Sequence, residues 1–306
     1  MQQERKQVLL AEAALLICGI IWGSGFVVMK NALDFLPVNW LLASRFTIAA
    51  VVLCAILFKK VRQAAKLALV GSAICGVIIY LAYFAQTHGL QYTTAGNNAF
   101  LTAVYVVLVP FFSWMMTKRH PGAFTILAGI VCLVGVGVIA LDANFSVQSG
   151  DAWTLLSGIL YACHIMAVSY FTRRGVNVML LTALQFAVMA ICGIACGMIF
   201  EPSFALGTLV SSDVLFPLLY LGLACTLIGL VLQNVGIRYA PASHASLLMA
   251  TEAPFGCLFG ILLLNEPFTL RFALGAALIL GSIILSEFKH KEVRVAAAPV
   301  DAAGQA

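Results

Sequence analysis

The chain alternates between long apolar stretches and short polar ones. Ten apolar stretches can be counted, each roughly long enough to span a bilayer, which takes about 20 helical residues for a hydrocarbon core of about 30 Å. Inside them, the apolar residues follow neither the alternation of a strand nor the one-sided stripe of a helix in a soluble protein. We therefore predict ten transmembrane helices, over residues 8–30, 38–58, 67–87, 94–117, 122–141, 152–172, 179–200, 214–237, 243–264 and 268–288.

The composition supports a membrane protein. Hydrophobic residues make up 62% of the chain and charged residues 9%, and the mean hydropathy is +1.04. A soluble domain carries roughly 45–50% apolar and about 25% charged residues. Because backbone groups find no water in lipid, the spanning segments should be helices, which satisfy their own hydrogen bonds. We predict an all-α integral membrane protein.

Lysine and arginine collect on one side of the predicted helices. If ten helices alternate in direction, only Lys30 and Arg271 fall on the other side. Lysine and arginine are enriched in cytoplasmic loops, so residues 1–7 and 289–306 are predicted to be cytoplasmic tails. The short linkers suggest a bacterial inner membrane. The net charge of +5 reflects this bias and indicates no nucleic-acid partner.

The first five predicted helices resemble the last five. CGIIWGSGF aligns with SGILYACHI, and QTHGLQYTTAG aligns with QNVGIRYAPAS. Because five is odd, the second half must enter the membrane from the opposite side. Inverted repeats occur in secondary transporters, whose substrate site lies between the halves. We predict two inverted five-helix repeats, residues 8–141 and 152–288, around a central cavity.

The spacing between matched residues stays near 139–147 in all five helix pairs. A proline lacks an N–H and clashes with the carbonyl four residues back, so the fourth and ninth helices are predicted to bend at their prolines. The matched pairs are Gly19–Gly158, Trp22–Tyr161, Arg45–Gln185, Gln86–Gln233, Tyr92–Tyr239 and Pro110–Pro254.

Polar and aromatic residues form stripes along the third, fourth, sixth and eighth predicted helices. Polar groups facing lipid are costly, so the stripes should face the interior. A cavity with aromatic walls and few polar groups suits a small amphipathic ligand, whereas hydrogen bonding between helices is the alternative for each stripe. The candidate cavity residues are Trp22, Tyr80, Tyr83, Asn98, Thr102, Tyr105, Tyr161, His164 and Gln233.

Two charged residues stand out because they lie deep inside predicted helices; at a helix centre an ionised side chain costs about 2.5–3.5 kcal/mol. Arg45, in the second helix, either extends to the outer surface or attracts an anionic group. Glu252, near the middle of the ninth, either is a structural acid, exchanges a proton, or binds a substrate ammonium. His164 either titrates or forms a structural hydrogen bond. The cysteines and histidines show no metal-ligand spacing, so neither a metal nor a cofactor is expected.

Several of these segments resemble signatures of the drug/metabolite transporter superfamily, EamA type. YTTAGNNAFLTAVYVVLVPFFSW and YAPASHASLLMATEAPFGCLFGILLLNEP are similar to its fourth and ninth helices, and IIWGSGF and SRF to its first and second. The resemblance covers about residues 8–288. It implies a ten-helix exporter of amino acids, related metabolites or amphipathic drugs. Pro254 departs from the family, which often has an aliphatic residue there.

We therefore predict a secondary transporter that exports amino acids, related small metabolites or amphipathic drugs by alternating access. The sequence has no nucleotide-binding loop and no catalytic triad spacing, so an enzyme is not expected. The alternative is a membrane-embedded enzyme or assembly factor that acts on a lipid-linked substrate. The expected partners are a small-molecule substrate and the lipid bilayer, with the protein as a monomer or homodimer.

Overall fold

The computed structural model describes residues 2–118, 122–140, 147–233 and 248–287, and within these ranges it is helical without a strand. Asn177 and Thr94 cap two helices, each accepting a hydrogen bond from the backbone N–H three residues on. The helices are α1 (Gln2–Ala32), α2 (Val38–Ile56), α3 (Phe58–Arg62), α4 (Lys66–Leu90), α5 (Ala95–Thr102), α6 (Tyr105–Thr117), α7 (Ala123–Ala140), α8 (Ser149–Thr172), α9 (Val178–Phe200), α10 (Ser212–Leu219), α11 (Glu252–Leu264) and α12 (Leu270–Glu287).

Seven helical stretches are long and apolar enough to cross a membrane, and three shorter apolar helices accompany them in the described part of the chain. All ten lie within or across the predicted apolar stretches. The long stretches are Leu9–Ala32, Val38–Ile56, Lys66–Leu90, Ala95–Met115, Ser149–Thr172, Val178–Phe200 and Ser212–Gln233, and the short ones are Ile126–Ala140, Glu252–Leu264 and Leu270–Leu285.

The fourth predicted helix is interrupted. It consists of α5 and α6, separated by a turn at Ala103 and Val104, seven residues ahead of Pro110. The Val106 N–H donates to the Ala103 carbonyl at 3.1 Å, a bond that spans three residues where an α-helix spans four. The turn therefore precedes the proline at which a bend is predicted.

The ninth predicted helix has the same turn, at Ala250 and Thr251 directly before α11. The Ala253 N–H donates to the Ala250 carbonyl at 3.3 Å. Pro254 has no N–H to offer the Ala250 carbonyl, which is therefore left to accept the bond from Ala253. At the spacing of 147 residues that relates Ala103 to Ala250, the position of Pro254 corresponds to Val107 rather than to Pro110, so a proline at this place is not required for the turn.

The helices α6 and α11 correspond residue by residue. Each has 13 residues, and their first residues, Tyr105 and Glu252, are 147 positions apart. Their C-caps, Lys118 and Asn265, are both in the left-handed conformation, with φ of 57° and 53°, and are the same distance apart. The two helices thus begin and end at positions of the same spacing and share the same C-terminal backbone conformation.

The contacts between helices also correspond. α1 packs on α11 in the same way as its counterpart α8 packs on α6. Three further pairs are in contact: α2 with α9, α5 with α11, and α7 with α12. Glycines allow the closest approaches. A Cβ at Gly158 in α8 would lie 3.3 Å from the Thr102 carbonyl oxygen, and a Cβ at Gly19 in α1 would lie 3.4 Å from the Glu252 nitrogen. Both interrupted helices are therefore covered by a matched glycine.

The eighth predicted helix contains a π-helical segment, Tyr220–Ile228, after α10. Side chains of α1 bond to backbone carbonyls in this segment and directly after it: Trp22 Nε1 donates to the Cys225 carbonyl at 2.7 Å, and Cys18 Sγ donates to the Gly229 carbonyl at 3.2 Å. A π-helical turn shifts the hydrogen-bond register, and such turns are frequent at functional sites.

Two carboxylates form hydrogen bonds with the starts of α5 and α2, near the end of α1. Glu266 accepts hydrogen bonds from the Ala95 and Gly96 nitrogens at 2.6 and 3.1 Å, and Lys30 Nζ lies 3.3 Å from it. Glu201 accepts from the Asn39 backbone and side-chain nitrogens at 3.1 and 2.8 Å. Each acid lies at the N-terminus of a helix, where negative charge is stabilised. Lys30 thus has a partner in the structure.

Candidate substrate cavity

The described helices surround a cavity of about 950 Å³, its open mouth included. It is lined by residues of α1, α2, α4, α5, α6, α8, α9, α11 and the π-helical segment. Nine of the eleven candidates named from the sequence line it: Trp22, Arg45, Tyr83, Thr102, Tyr105, Tyr161, His164, Gln233 and Glu252.

Two candidates do not line the cavity. Asn98 is fully buried, and its Nδ2 donates to the Gln86 carbonyl at 3.0 Å and to Thr154 Oγ1 at 2.7 Å. Tyr80 Oη donates to Asn39 Oδ1 at 2.6 Å. Both side chains therefore connect helices, which is the alternative that the sequence left open for the polar stripes.

Two glutamines that were not proposed as site residues also line the cavity. Gln86 lies on α4 and Gln185 on α9. The signal that identifies them is the internal repeat, because Gln86 matches Gln233 and Gln185 matches Arg45. Apolar residues complete the wall, among them Phe26, Ile79, Phe186, Met189 and Leu221.

Glu252 is the acid of the cavity. Its side chain is 7% exposed, and Tyr105 Oη donates to its Oε1 at 3.4 Å. Among the residues described, no lysine or arginine nitrogen lies within 4.0 Å of the carboxylate. A buried carboxylate with one long hydrogen bond can still accept a proton or bind a cationic group.

Arg45 is the cationic residue of the cavity. Its Nε and Nη2 donate to Thr226 Oγ1 at 3.2 and 3.0 Å, and its Nη1 donates to Met29 Sδ at 3.7 Å. The guanidinium carbon lies 5.2 Å from the centre of the Phe46 ring and 5.1 Å from that of Tyr83. These ring faces favour a cation. The side chain is 3% exposed, so it does not extend to the outer surface.

A chain of hydrogen bonds crosses the cavity wall. Tyr161 Oη donates to Gln86 Oε1 at 3.0 Å, and Gln86 Nε2 donates to Thr102 Oγ1 at 3.2 Å. The ring of Tyr83 lies edge-on to Tyr161 at a centroid distance of 5.4 Å, and Tyr105 lies 6.0 Å from Tyr161. The wall is thus an aromatic surface with a few fixed polar atoms, as in many sites for small organic ligands.

His164 has a neutral partner. Its Nε2 lies 3.1 Å from Gln185 Oε1, within hydrogen-bond distance. The hydrogen bond supports the structural interpretation of His164. His164 also lines the cavity, so a substrate in the cavity can contact it.

Members of three repeat-matched pairs meet at this one cavity: Trp22 and Tyr161, Arg45 and Gln185, and Gln86 and Gln233. The model of the EamA-like transporter family matches the chain twice, over residues 9–141 and 148–288. The chain belongs to the EamA-like transporter family. The two matches divide this EamA-like protein at about the place where the internal repeat divides it.

Relatives of this EamA-like protein are named as transporters. An uncharacterized transporter of Archaeoglobus fulgidus is 30% identical over 285 residues, covering 90% of this chain and 85% of the relative. The uncharacterized transporter YetK of Bacillus subtilis is 24% identical, covering 89% and 85%. The uncharacterized inner membrane transporter YicL of Salmonella typhimurium is also 24% identical, covering 89% and 93%. These names point to a membrane transporter.

A solved crystal structure has the same fold. It is 18% identical in sequence and superposes with a TM-score of 0.63 over 90% of this chain and 96% of its own. At this identity the likeness concerns the fold alone. The helical fold of this EamA-like protein is therefore shared with a protein of known structure.

Proposed function

We propose that this EamA-like protein is a secondary transporter of the inner membrane, in which ten helices form two inverted repeats and export amino acids or related small metabolites. The observation that carries the proposal is the cavity, which brings Arg45, Glu252 and an aromatic wall together between the halves. A small molecule with charged and apolar parts is the complement of such a cavity.

The matched backbone supports the inverted repeats. α6 and α11 begin and end at matched residues, and each follows a turn of the same hydrogen-bond pattern. The pairs of packed helices are exchanged when each helix of the first half is replaced by its counterpart in the second. A pseudo-twofold axis in the membrane plane accounts for both facts.

Alternating access requires the cavity to open to one side at a time. The interrupted helices offer flexible points at the cavity, because the turns at 103–104 and 250–251 lie directly before Tyr105 and Glu252. A broken helix in a membrane is tolerated where it faces a cavity. In the proposal, movement about these turns changes which side the cavity faces.

Glu252 is assigned the coupling role. Within the cavity it can hold a proton on one side of the membrane and release it on the other, or pair with a substrate ammonium. Among the described residues, the titratable groups that interact with it are Tyr105, Tyr83, Tyr161 and, on α1, Cys18. Compared with these phenols and the thiol, a carboxyl is the group that ionises readily near neutral pH.

The test is solute flux through the purified protein in liposomes, with amino acids as the first solutes, including aromatic ones. The proposal expects flux that depends on the protein and on a proton gradient. Empty liposomes, and liposomes with a denatured sample, provide the baseline. Absence of flux for every small solute, together with turnover of a lipid-linked substrate, would instead favour a membrane-embedded enzyme or assembly factor.

A further inference from the structure

Every described protein partner of the Arg45 guanidinium is neutral. The hydroxyl of Thr226, the sulfur of Met29 and two aromatic ring faces surround it. In the described ranges, no carboxylate oxygen lies within 4.0 Å of it, and Glu252 is no exception. A buried charge without a counter-charge is costly to retain. Here it lines a cavity, where an anion from outside the protein can supply that counter-charge.

The guanidinium also has hydrogen-bond donors to spare. It carries five N–H groups, of which three donate to Thr226 and Met29, so that one N–H on each Nη has no acceptor among the described residues. Two N–H groups of an arginine fork match the two oxygens of a carboxylate. A thioether sulfur is a weak acceptor, so the bond to Met29 is easily exchanged for a carboxylate oxygen.

Thr226 holds the guanidinium in place. Its hydroxyl donates to the Leu221 carbonyl at 2.7 Å, within the π-helical segment. With its proton fixed in that bond, Oγ1 turns its lone pairs toward Nε and Nη2 of Arg45. Thr226 is thus a positioning residue, because it orients the donor group rather than contacting a ligand itself.

The position matched to Arg45 carries no charge. Gln185 is the counterpart of Arg45 and lines the same cavity with a neutral amide. The next residues, Phe46 and Phe186, pack against each other at a centroid distance of 6.1 Å. The two phenylalanines thus pack against each other although an arginine precedes one and a glutamine the other, and of these two cavity residues only the arginine offers a positive charge to a ligand.

We propose that Arg45 is the carboxylate-binding residue of the cavity, so that the substrates are small organic acids or zwitterions with an apolar body rather than cationic amphiphiles. This inference rests on the proposed transport function and narrows its substrate class. An ammonium group, where the substrate has one, is received by Glu252. The aromatic wall receives the apolar body.

Four probes with the same benzyl body test the proposal on the unmodified protein: L-phenylalanine, 3-phenylpropionate, L-phenylalaninamide and 2-phenylethylamine. Uptake is measured in inside-out vesicles, and binding by the fluorescence of Trp22, with Trp22→Phe identifying its share of the signal. We expect the two carboxylates to enter and to change the Trp22 fluorescence, and the amide and the amine to do neither. Equal uptake or binding of the amide or the amine would overturn the proposal.

Two variants test whether Arg45 binds the carboxylate. Arg45→Gln introduces the side chain that the matched position already has, and it should weaken binding of both carboxylates about ten- to hundredfold, as the loss of charge-assisted hydrogen bonds implies. Arg62→Gln removes an exposed arginine of α3 and should leave binding unchanged. Carboxylate preference that survives in Arg45→Gln would overturn the proposal. If this variant does not fold, the four probes on the unmodified protein decide.

The outcomes separate this proposal from the proposed function. Carboxylates that bind through Arg45 without crossing the membrane would support the site and contradict transport. Amide or amine that crosses the membrane at the rate of the acids would support transport and contradict the carboxylate site. If none of the four probes binds or crosses, the carboxylate site is overturned for this class of molecule, and flux of other solutes then decides transport alone.

Discussion

Tyr105 Oη donates a hydrogen bond to Glu252 Oε1 at 3.4 Å, and the two residues occupy matched positions 147 apart in the two halves of the chain. Each is the first residue of its helix after an interruption. In the proposed inverted repeat, matched residues in contact lie close to the twofold axis, so the axis is expected to pass near this pair, with an acid on one side and a phenol on the other.

Glu252→Gln should abolish proton-dependent export while leaving the fold intact. The amide keeps the shape of the side chain and can accept the Tyr105 hydrogen bond, but it cannot ionise. We expect the variant to reach the membrane at the normal level and to lose either export or its dependence on pH. Flux in proteoliposomes at several pH values provides the measurement.

The matched control for this variant is Asp213→Asn. Asp213 is an exposed acid at the start of α10, bonded in the structure to its neighbour Ser212 at 3.5 Å. Its loss should not change the pH profile. Export by Glu252→Gln with an unchanged profile would make Glu252 a packing residue and end its assignment to coupling.

Glu266→Ala should destabilise the protein. The carboxylate accepts from two backbone nitrogens at the start of α5 and pairs with Lys30, and it is 11% exposed. Its removal leaves buried N–H groups unpaired, which costs roughly 1–3 kcal/mol. Thermal unfolding in detergent should show a lower Tm than Asp213→Ala, in which the lost acid is exposed. An equal Tm in both variants would show that water replaces the carboxylate.

The positions of the helices were predictable because apolar stretches of bilayer length have few other solutions. The second stretch was predicted over 38–58 and is observed at Val38–Ile56. The interruption at Ala103 and the π-helical segment were not predicted. Both are shifts of one residue in the hydrogen-bond ladder, which hydropathy does not register. The turn at Ala103 and Val104 has no proline or glycine, whereas the π-helical segment contains Gly222 and follows Pro217.

The candidate site was predictable as far as inward-facing polarity identifies it. Trp22, Arg45 and Glu252 are found at the cavity. Asn98 and Tyr80 also have polar groups and face the interior, but they form hydrogen bonds between helices. A sequence pattern shows which face of a helix avoids lipid. It does not show whether the space on that face is filled, since this depends on the volumes of side chains from several helices.

Both termini are predicted to be cytoplasmic. The charge distribution is the reason: Lys59, Lys60 and Arg62 lie on α3, at the other end of α2 from the Glu201 and Glu266 contacts. A reporter that is active only in the cytoplasm, fused after Lys291, should be active, and the same reporter placed in the 201–211 linker should be silent. Silence after Lys291 with activity in the linker would show that the orientation is reversed, and the same result at both sites would show that the number of crossings between them is not the predicted three.

Gly23→Ala should lower the stability of the protein, although it adds only one methyl group. An added Cβ would lie 2.8 Å from the Gly256 nitrogen and 2.9 Å from the Phe255 carbonyl carbon, so the backbones of α1 and α11 would have to separate. Overpacking of this kind costs about 1–3 kcal/mol.

The control is Gly281→Ala in α12, where an added Cβ has no atom within 4 Å. Alanine is the better helix former, so this variant should be as stable as the parent or slightly more stable. The comparison isolates the contact from the change in helix propensity, because both glycines are helical. We expect a lower Tm for Gly23→Ala only. If both variants unfold at the parent's temperature, α1 and α11 are not in close contact in the membrane, and the cavity wall that they form would have to be revised.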